Sequence, residues 1–114
     1  MNFSFFIKKK EQNLFRGLVD FHNHILPAID DGSRSLEQSL KMLKCYEALE
    51  IEKVLASPHV YKELYPNTPK TIQSAYEVLD SKAKNNPTKL IGYAAEYMVD
   101  EFFIKSLQNN EELL

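Results

Sequence analysis

Three histidines and two acidic residues are the side chains of this sequence best suited to bind metal ions: His22, His24, Asp31, His59 and Glu96. His22 and His24 are two positions apart, so in an extended segment their imidazoles lie on the same face and can share one ion. Imidazole combined with carboxylate suits zinc, iron or manganese, and a high proportion of carboxylate shifts the preference toward manganese. The pattern therefore predicts a site for divalent cations, with Mn²⁺ preferred.

The predicted strands bring these residues to one place. Short apolar runs at residues 18–21, 54–56 and 90–95 predict three strands, and we expect the first to be buried. His22 and His24 follow the first strand, His59 follows the second and Glu96 follows the third. Asp31 lies in a turn just beyond the histidine pair, close enough to supply a carboxylate.

Three predicted helices alternate with the strands. Ser35 and Gln38 form a capping-box pattern at the start of the first helix, and Thr68 can cap the second. The third is expected to begin near Asp100 and to turn three apolar residues inward: Phe102, Phe103 and Leu107. This alternation predicts an α/β fold with a parallel sheet, in which the loops after the strands gather at one edge and carry the chemistry.

Composition limits the possible classes. The chain has 114 residues, 44% of them apolar and 26% charged, with a net charge of -2, so electrostatics do not favour nucleic-acid binding. No apolar run is long enough to span a bilayer. The single cysteine, Cys45, cannot form an internal disulfide, which favours the reducing environment of the cytoplasm. We expect residues 1–16 to form an N-terminal arm.

Two other residues are weaker candidates. Cys45 could suggest a cysteine phosphatase, but that chemistry needs an arginine six residues later, where this chain has Ile51. We therefore expect the thiol to pack in the core. Lys62 follows His59 closely and is either a substrate-binding residue that meets an anion or a solvated loop residue.

Six segments of the sequence resemble successive motifs of one enzyme family. They are DFHNH (20–24), IDDGS (29–33), SLEQSL (35–40), ASPH (56–59), YPNTP (65–69) and AAEY (94–97). In order and spacing they are similar to the bacterial tyrosine phosphatases of the PHP (polymerase and histidinol phosphatase) superfamily, which accompany capsular polysaccharide synthesis. The likeness runs from about Gly17 to the end of the chain.

This resemblance implies a fold, a mechanism and a substrate. The family fold is a distorted (β/α)7 barrel, and the five residues named first correspond to metal ligands, with Glu96 bridging two ions of a trinuclear cluster. Phosphotyrosine is hydrolysed by a metal-activated water. The expected partner is a phosphotyrosine protein, an autophosphorylating tyrosine kinase that controls polysaccharide export.

The length departs from the family pattern, since a complete barrel enzyme usually needs about 250 residues. We expect residues 17–114 to form a partial PHP domain whose C-terminal half is missing, with an incomplete metal cluster and little activity alone. A PHP-type histidinol phosphatase or another phosphoesterase is the alternative enzyme. A non-catalytic fragment that forms a homodimer or binds a complementary C-terminal half is the other alternative.

Overall fold

The computed structural model describes residues 13–114 as alternating strands and helices. In chain order they are β1 (Val19–Asp20), α1 (Leu36–Ala48), β2 (Lys53–Ala56), β3 (His59–Val60), α2 (Pro69–Ala83), β4 (Lys89–Tyr93), β5 (Glu96–Tyr97) and α3 (Glu101–Gln108). Most of the predicted N-terminal arm, residues 1–12, lies outside the described residues. Its last residues contact the loop after α1, where the Arg16 guanidinium binds the Glu50 carboxylate.

The strands form two parallel sheets rather than one. β1, β2 and β4 make a three-stranded sheet in the order β1-β2-β4, while β3 pairs with β5. The predicted α/β alternation with parallel strands is confirmed. The second sheet was not predicted, because each of its strands is only two residues long and follows a longer strand after a short break.

The helices begin where local signals place them. The Ser35 hydroxyl accepts a hydrogen bond from the Gln38 backbone, although the Gln38 side chain turns to the Arg34 amide instead of closing the capping box. Thr68 and Thr71 form a reciprocal capping box at α2, and Asp100 caps α3. These bonds satisfy amide groups that a helix start leaves without partners.

One face of the sheet carries the core. Val54 and Ala56 of β2 are buried in a cluster with residues of α1 and α2, including Leu43, Ile72 and Leu79. Side chains alternate along a strand, so Leu55 points to the opposite face. In the described chain α1 and α2 pack on one side of the sheet, which leaves the other side exposed.

Three predictions about burial are wrong. The run at residues 18–21 is not buried: Leu18, Val19 and Phe21 are exposed. Cys45 is exposed on α1 rather than packed in the core. Helix α3 has no buried residue, and Phe102 and Leu107 are exposed, although Phe103 contacts the Tyr97 ring. Apolar character alone does not distinguish a side chain that is buried from one that stays exposed.

None of the helices within residues 13–114 combines the length and apolar character needed to cross a membrane.

Candidate metal centre

One oxygen of Glu96 lies at the centre of the predicted ligands. Its Oε2 atom is 3.3 Å from Nε2 of His22, 3.3 Å from Nε2 of His24 and 3.5 Å from Nδ1 of His59. Three imidazoles from two separate segments of the sequence thus face a single carboxylate oxygen.

The β3–β5 ladder places two of these residues side by side. His59 and Glu96 are direct partners in its parallel register. The ladder follows on from the main sheet, because the Ala94 amide donates to the Ala56 carbonyl and the Glu96 amide donates to the Pro58 carbonyl. Partners in register project their side chains to the same face, so His59 and Glu96 meet.

The histidine pair is held by the residue between them. Asn23 is buried, its backbone amide donates to the Ser57 hydroxyl, and its side-chain amide donates to the Leu55 carbonyl. With Asn23 anchored to the segment that leads into β3, His22 and His24 on either side of it both reach Glu96.

A half-buried tyrosine, Tyr46, supports the backbone of His22. The Tyr46 hydroxyl donates a 2.5 Å hydrogen bond to one oxygen of Asp20, whose other oxygen accepts from the His22 amide. Burial, together with the neighbouring Asp20 carboxylate, raises the pKa of Tyr46 above its ordinary value, because both disfavour a phenolate. The hydroxyl therefore stays protonated and keeps donating.

Asp31 reaches the same cluster from the turn after the histidine pair. Its Oδ1 atom lies 3.5 Å from Nε2 of His59 and 3.9 Å from Nδ1 of His24. Two overlapping groups therefore have the spacing of metal ligands: His22, His24 and Glu96, and His24, Asp31 and His59. In each group the ligand atoms lie within 4.8 Å of one another.

The chemistry of this cluster fits a divalent cation. Within residues 13–114, Glu96 Oε2 is a buried oxygen that makes no hydrogen bond, although three imidazole nitrogens surround it. A buried carboxylate oxygen without a partner is costly, and a cation held between it and the imidazoles would satisfy all of them. The ligand roles of the five residues remain predictions that this geometry supports.

Lys62 does not join the cluster. Its ammonium group lies 5.7 Å from the centre of the Phe102 ring, in a cleft of about 440 Å³ that is also lined by Val60 and Tyr97. Val60 and Tyr97 alternate with His59 and Glu96 along β3 and β5, so this cleft opens on the opposite face of the ladder. The substrate-binding role of Lys62 stays a prediction.

Three residues of the site were missed by sequence reasoning. Asp30 binds His24, Tyr65 stacks on His59 with ring centres 5.5 Å apart, and Asn67 donates to the carbonyls of Ile29 and His59. The tandem aspartates and the YPNTP motif were visible signals. Their roles were not, because each depends on how a loop folds back on a histidine six to eight residues away, and for Asn67 also on a contact with Ile29, 38 residues away.

Comparison with known proteins identifies the family. Residues 18–113 match the family model described as capsular polysaccharide synthesis, CpsB/CapC. The chain belongs to the CpsB/CapC family. The match begins just before β1 and ends beyond α3, so it includes every helix and strand described above.

Named relatives of this CpsB/CapC chain are tyrosine phosphatases. The putative tyrosine-protein phosphatase CapC of Staphylococcus aureus is 28% identical over 98 residues, which is 82% of this chain and 37% of that protein. The tyrosine-protein phosphatase YwqE of Bacillus subtilis strain 168 is 32% identical over 65 residues, covering 57% of this chain and 26% of YwqE.

A solved structure supports the same relationship. It comes from the crystal structures of YwqE from Bacillus subtilis and CpsB from Streptococcus pneumoniae, described as unique metal-dependent tyrosine phosphatases. The TM-score is 0.71 with 26% identity, and the match covers 85% of this chain but 39% of that one. The chain thus spans well under half the length of these relatives.

Proposed function

We propose that this chain is the N-terminal, metal-binding part of a metal-dependent protein-tyrosine phosphatase. The observation that carries the proposal is the convergence of three imidazole nitrogens on Glu96 Oε2 at 3.3–3.5 Å. Support also comes from the relatives, which are named or described as tyrosine phosphatases. The complete domain would be a PHP-type distorted (β/α)7 barrel.

The residues of this chain would hold the ions. His22, His24 and Glu96 form one set of ligands, and Asp31 with His59 contributes to a second. When bound, divalent ions, with Mn²⁺ preferred over iron or zinc, lower the pKa of water and neutralise phosphate oxygens. Tyr65, stacked against His59, limits where the His59 ring can turn.

The proposed substrate is an autophosphorylated tyrosine kinase of capsular or exopolysaccharide synthesis, acting in the cytoplasm. The family description in terms of capsular polysaccharide synthesis supports the process. The exposed thiol of Cys45 suits a reducing compartment. A PHP-type histidinol phosphatase remains the alternative enzyme, with histidinol phosphate as its substrate, because it would use a similar set of metal ligands.

We propose further that the exposed face of the sheet is covered by the rest of the barrel, supplied as additional polypeptide. Val19 of β1 and Ile91 of β4 are 41% and 47% exposed, and Phe21, which follows β1, is 71% exposed. The relatives have more than half their length beyond the matched region. An apolar sheet face with open edges needs such a cover.

Size-exclusion chromatography of the 114-residue chain tests this cover. We expect the chain alone to form soluble oligomers of mixed size and to elute as a single species when mixed with the part of Staphylococcus aureus CapC outside the matched region. A discrete homodimer would assign the face to a second copy instead. A stable monomer without metal would contradict the proposal that the face needs a partner.

Activity assays test the function. The chain alone should hydrolyse p-nitrophenyl phosphate and a phosphotyrosine peptide little, even with Mn²⁺, because the relatives use a much longer chain. Mixed with the remaining part of CapC, it should gain phosphopeptide hydrolysis that His22→Ala removes. Preference for histidinol phosphate would favour the alternative enzyme, and strong hydrolysis by the chain alone would contradict the expected dependence on a partner.

A further inference from the structure

Asp30 is a fully buried carboxylate next to the candidate metal centre, outside both groups of possible ligands. Its side chain is 0% exposed. One oxygen, Oδ1, accepts a hydrogen bond from the Gly32 amide at 3.0 Å. The other, Oδ2, lies 2.8 Å from Nδ1 of His24 and accepts from the His59 amide at 3.0 Å. Both oxygens are therefore already engaged.

These contacts determine which nitrogen of His24 is free. Both Asp30 oxygens accept backbone N–H groups, so we infer that Nδ1 of His24 carries the hydrogen that it shares with Asp30. The lone pair is then on Nε2, the nitrogen that faces Glu96 Oε2 at 3.3 Å. A histidine that binds metal commonly donates its other ring N–H to such a carboxylate.

The same contacts separate the two ligand groups. His24 belongs to both groups by distance. With Nδ1 taken by Asp30, His24 has one nitrogen left, and that nitrogen points to the position shared with His22 and Glu96. Asp31 and His59 then define the neighbouring position.

We propose that Asp30 is a positioning residue that fixes the ring orientation and tautomer of His24 and, through the His59 amide, the start of β3. It contacts the His24 ring and the His59 backbone amide, and these two histidines approach Glu96 from the loop after β1 and from β3. This inference deepens the proposed function and rests on its metal site. It concerns how the ligands are held before an ion arrives.

A purely structural role makes a different prediction. The Asp30–Gly32 hydrogen bond spans two residues, as in an Asx turn, and could serve only to shape the loop. Loss of such a turn would lower stability without changing the intrinsic metal affinity of the folded chain or the protonated nitrogen of His24.

The experiment compares the 114-residue chain with Asp30→Asn and with Asp80→Asn, a matched control on α2. Isothermal titration with Mn²⁺ and with Zn²⁺ gives the affinity, and circular dichroism gives the folded fraction. In addition, ¹H–¹⁵N NMR of the histidine rings in metal-free protein identifies which His24 nitrogen carries the hydrogen. This last measurement needs only the wild-type chain, so it tests the inference even if Asp30→Asn does not fold.

We expect wild-type His24 to carry its hydrogen on Nδ1, and folded Asp30→Asn to bind each ion about 10- to 100-fold more weakly. Asp80→Asn should match wild type. A folded Asp30→Asn with unchanged affinity, or wild-type His24 with its hydrogen on Nε2, would overturn the inference while leaving the proposed function intact. A wild-type chain that binds neither ion would instead overturn the metal site, and the inference with it.

Discussion

Replacement of Gly32 by alanine should weaken metal binding by displacing His24. A Cβ atom at position 32 would lie 2.1 Å from the carbonyl oxygen of His24 and 2.3 Å from its Cβ. Ordinary contacts begin near 3.4 Å, so the two segments must separate by about 1.3 Å. The His24 carbonyl also accepts from the Ser33 amide, so the shift strains a bond that closes the loop.

The size of the effect follows from that displacement. Overpacking of this kind costs about 1–3 kcal/mol of stability. In a domain of about this size, each kcal/mol lowers the melting temperature by about 4–8 °C. The His24 ring moves with its backbone, away from Asp30 and Glu96, and we expect at least a tenfold loss of affinity, about the loss seen when an outer partner of a ligand is removed.

Gly17→Ala is the matched control. Gly17 has a φ of +78° with nothing within 4 Å of the added Cβ, so alanine there adds backbone strain without a clash. That strain costs about 1–2 kcal/mol of stability, comparable to the loss at position 32. Unlike Gly32, Gly17 is not next to any of the proposed metal ligands.

Thermal unfolding of the metal-free chains and titration with Mn²⁺ and Zn²⁺ separate the two variants. Both should melt earlier than wild type, and only Gly32→Ala should lose affinity. Wild-type affinity in folded Gly32→Ala would refute the argument, because it would mean that the loop absorbs the methyl group without moving His24.

Three further predictions follow from the structure. Glu96→Gln should lower Mn²⁺ affinity at least about tenfold in isothermal titration, because it removes the charge of the carboxylate that three imidazoles face. Glu101→Gln on exposed α3 should leave the affinity unchanged. Equal affinities of the two variants would show that Glu96 does not bind the metal. Tyr46→Phe should cost about 1–2 kcal/mol in urea unfolding, because the Asp20 carboxylate loses a donor. The folded chain raises the pKa of Tyr46 above 10.0, so this stabilisation is complete below pH 10 and declines as the pH rises further. The difference in unfolding free energy between wild type and Tyr46→Phe should therefore shrink above pH 10. A constant difference would contradict the argument. Cys45→Ser should leave melting temperature and metal affinity within error of wild type because the thiol is exposed, so a loss of several degrees would show that Cys45 packs against something.

Local signals in the sequence determined the helices and the types of ligand. Ser35, Thr68 and Asp100 each cap a helix as their positions predict, since a cap depends only on residues within one turn. The alternation of apolar runs with helical periods predicted parallel strands, and metal-binding residue types follow those strands.

Only the tertiary structure decided what each residue contacts. The register that pairs His59 with Glu96, the burial of Asp30 and its bonds to His24 and His59 depend on segments about 30 residues or more apart, except for the local Asp30–His24 contact. The exposure of Phe21, Cys45 and Phe102 likewise reflects which surfaces find a partner, which local sequence does not specify. Sequence periodicity describes which side of an element is apolar, but burial and ligand geometry arise only when distant elements pack together.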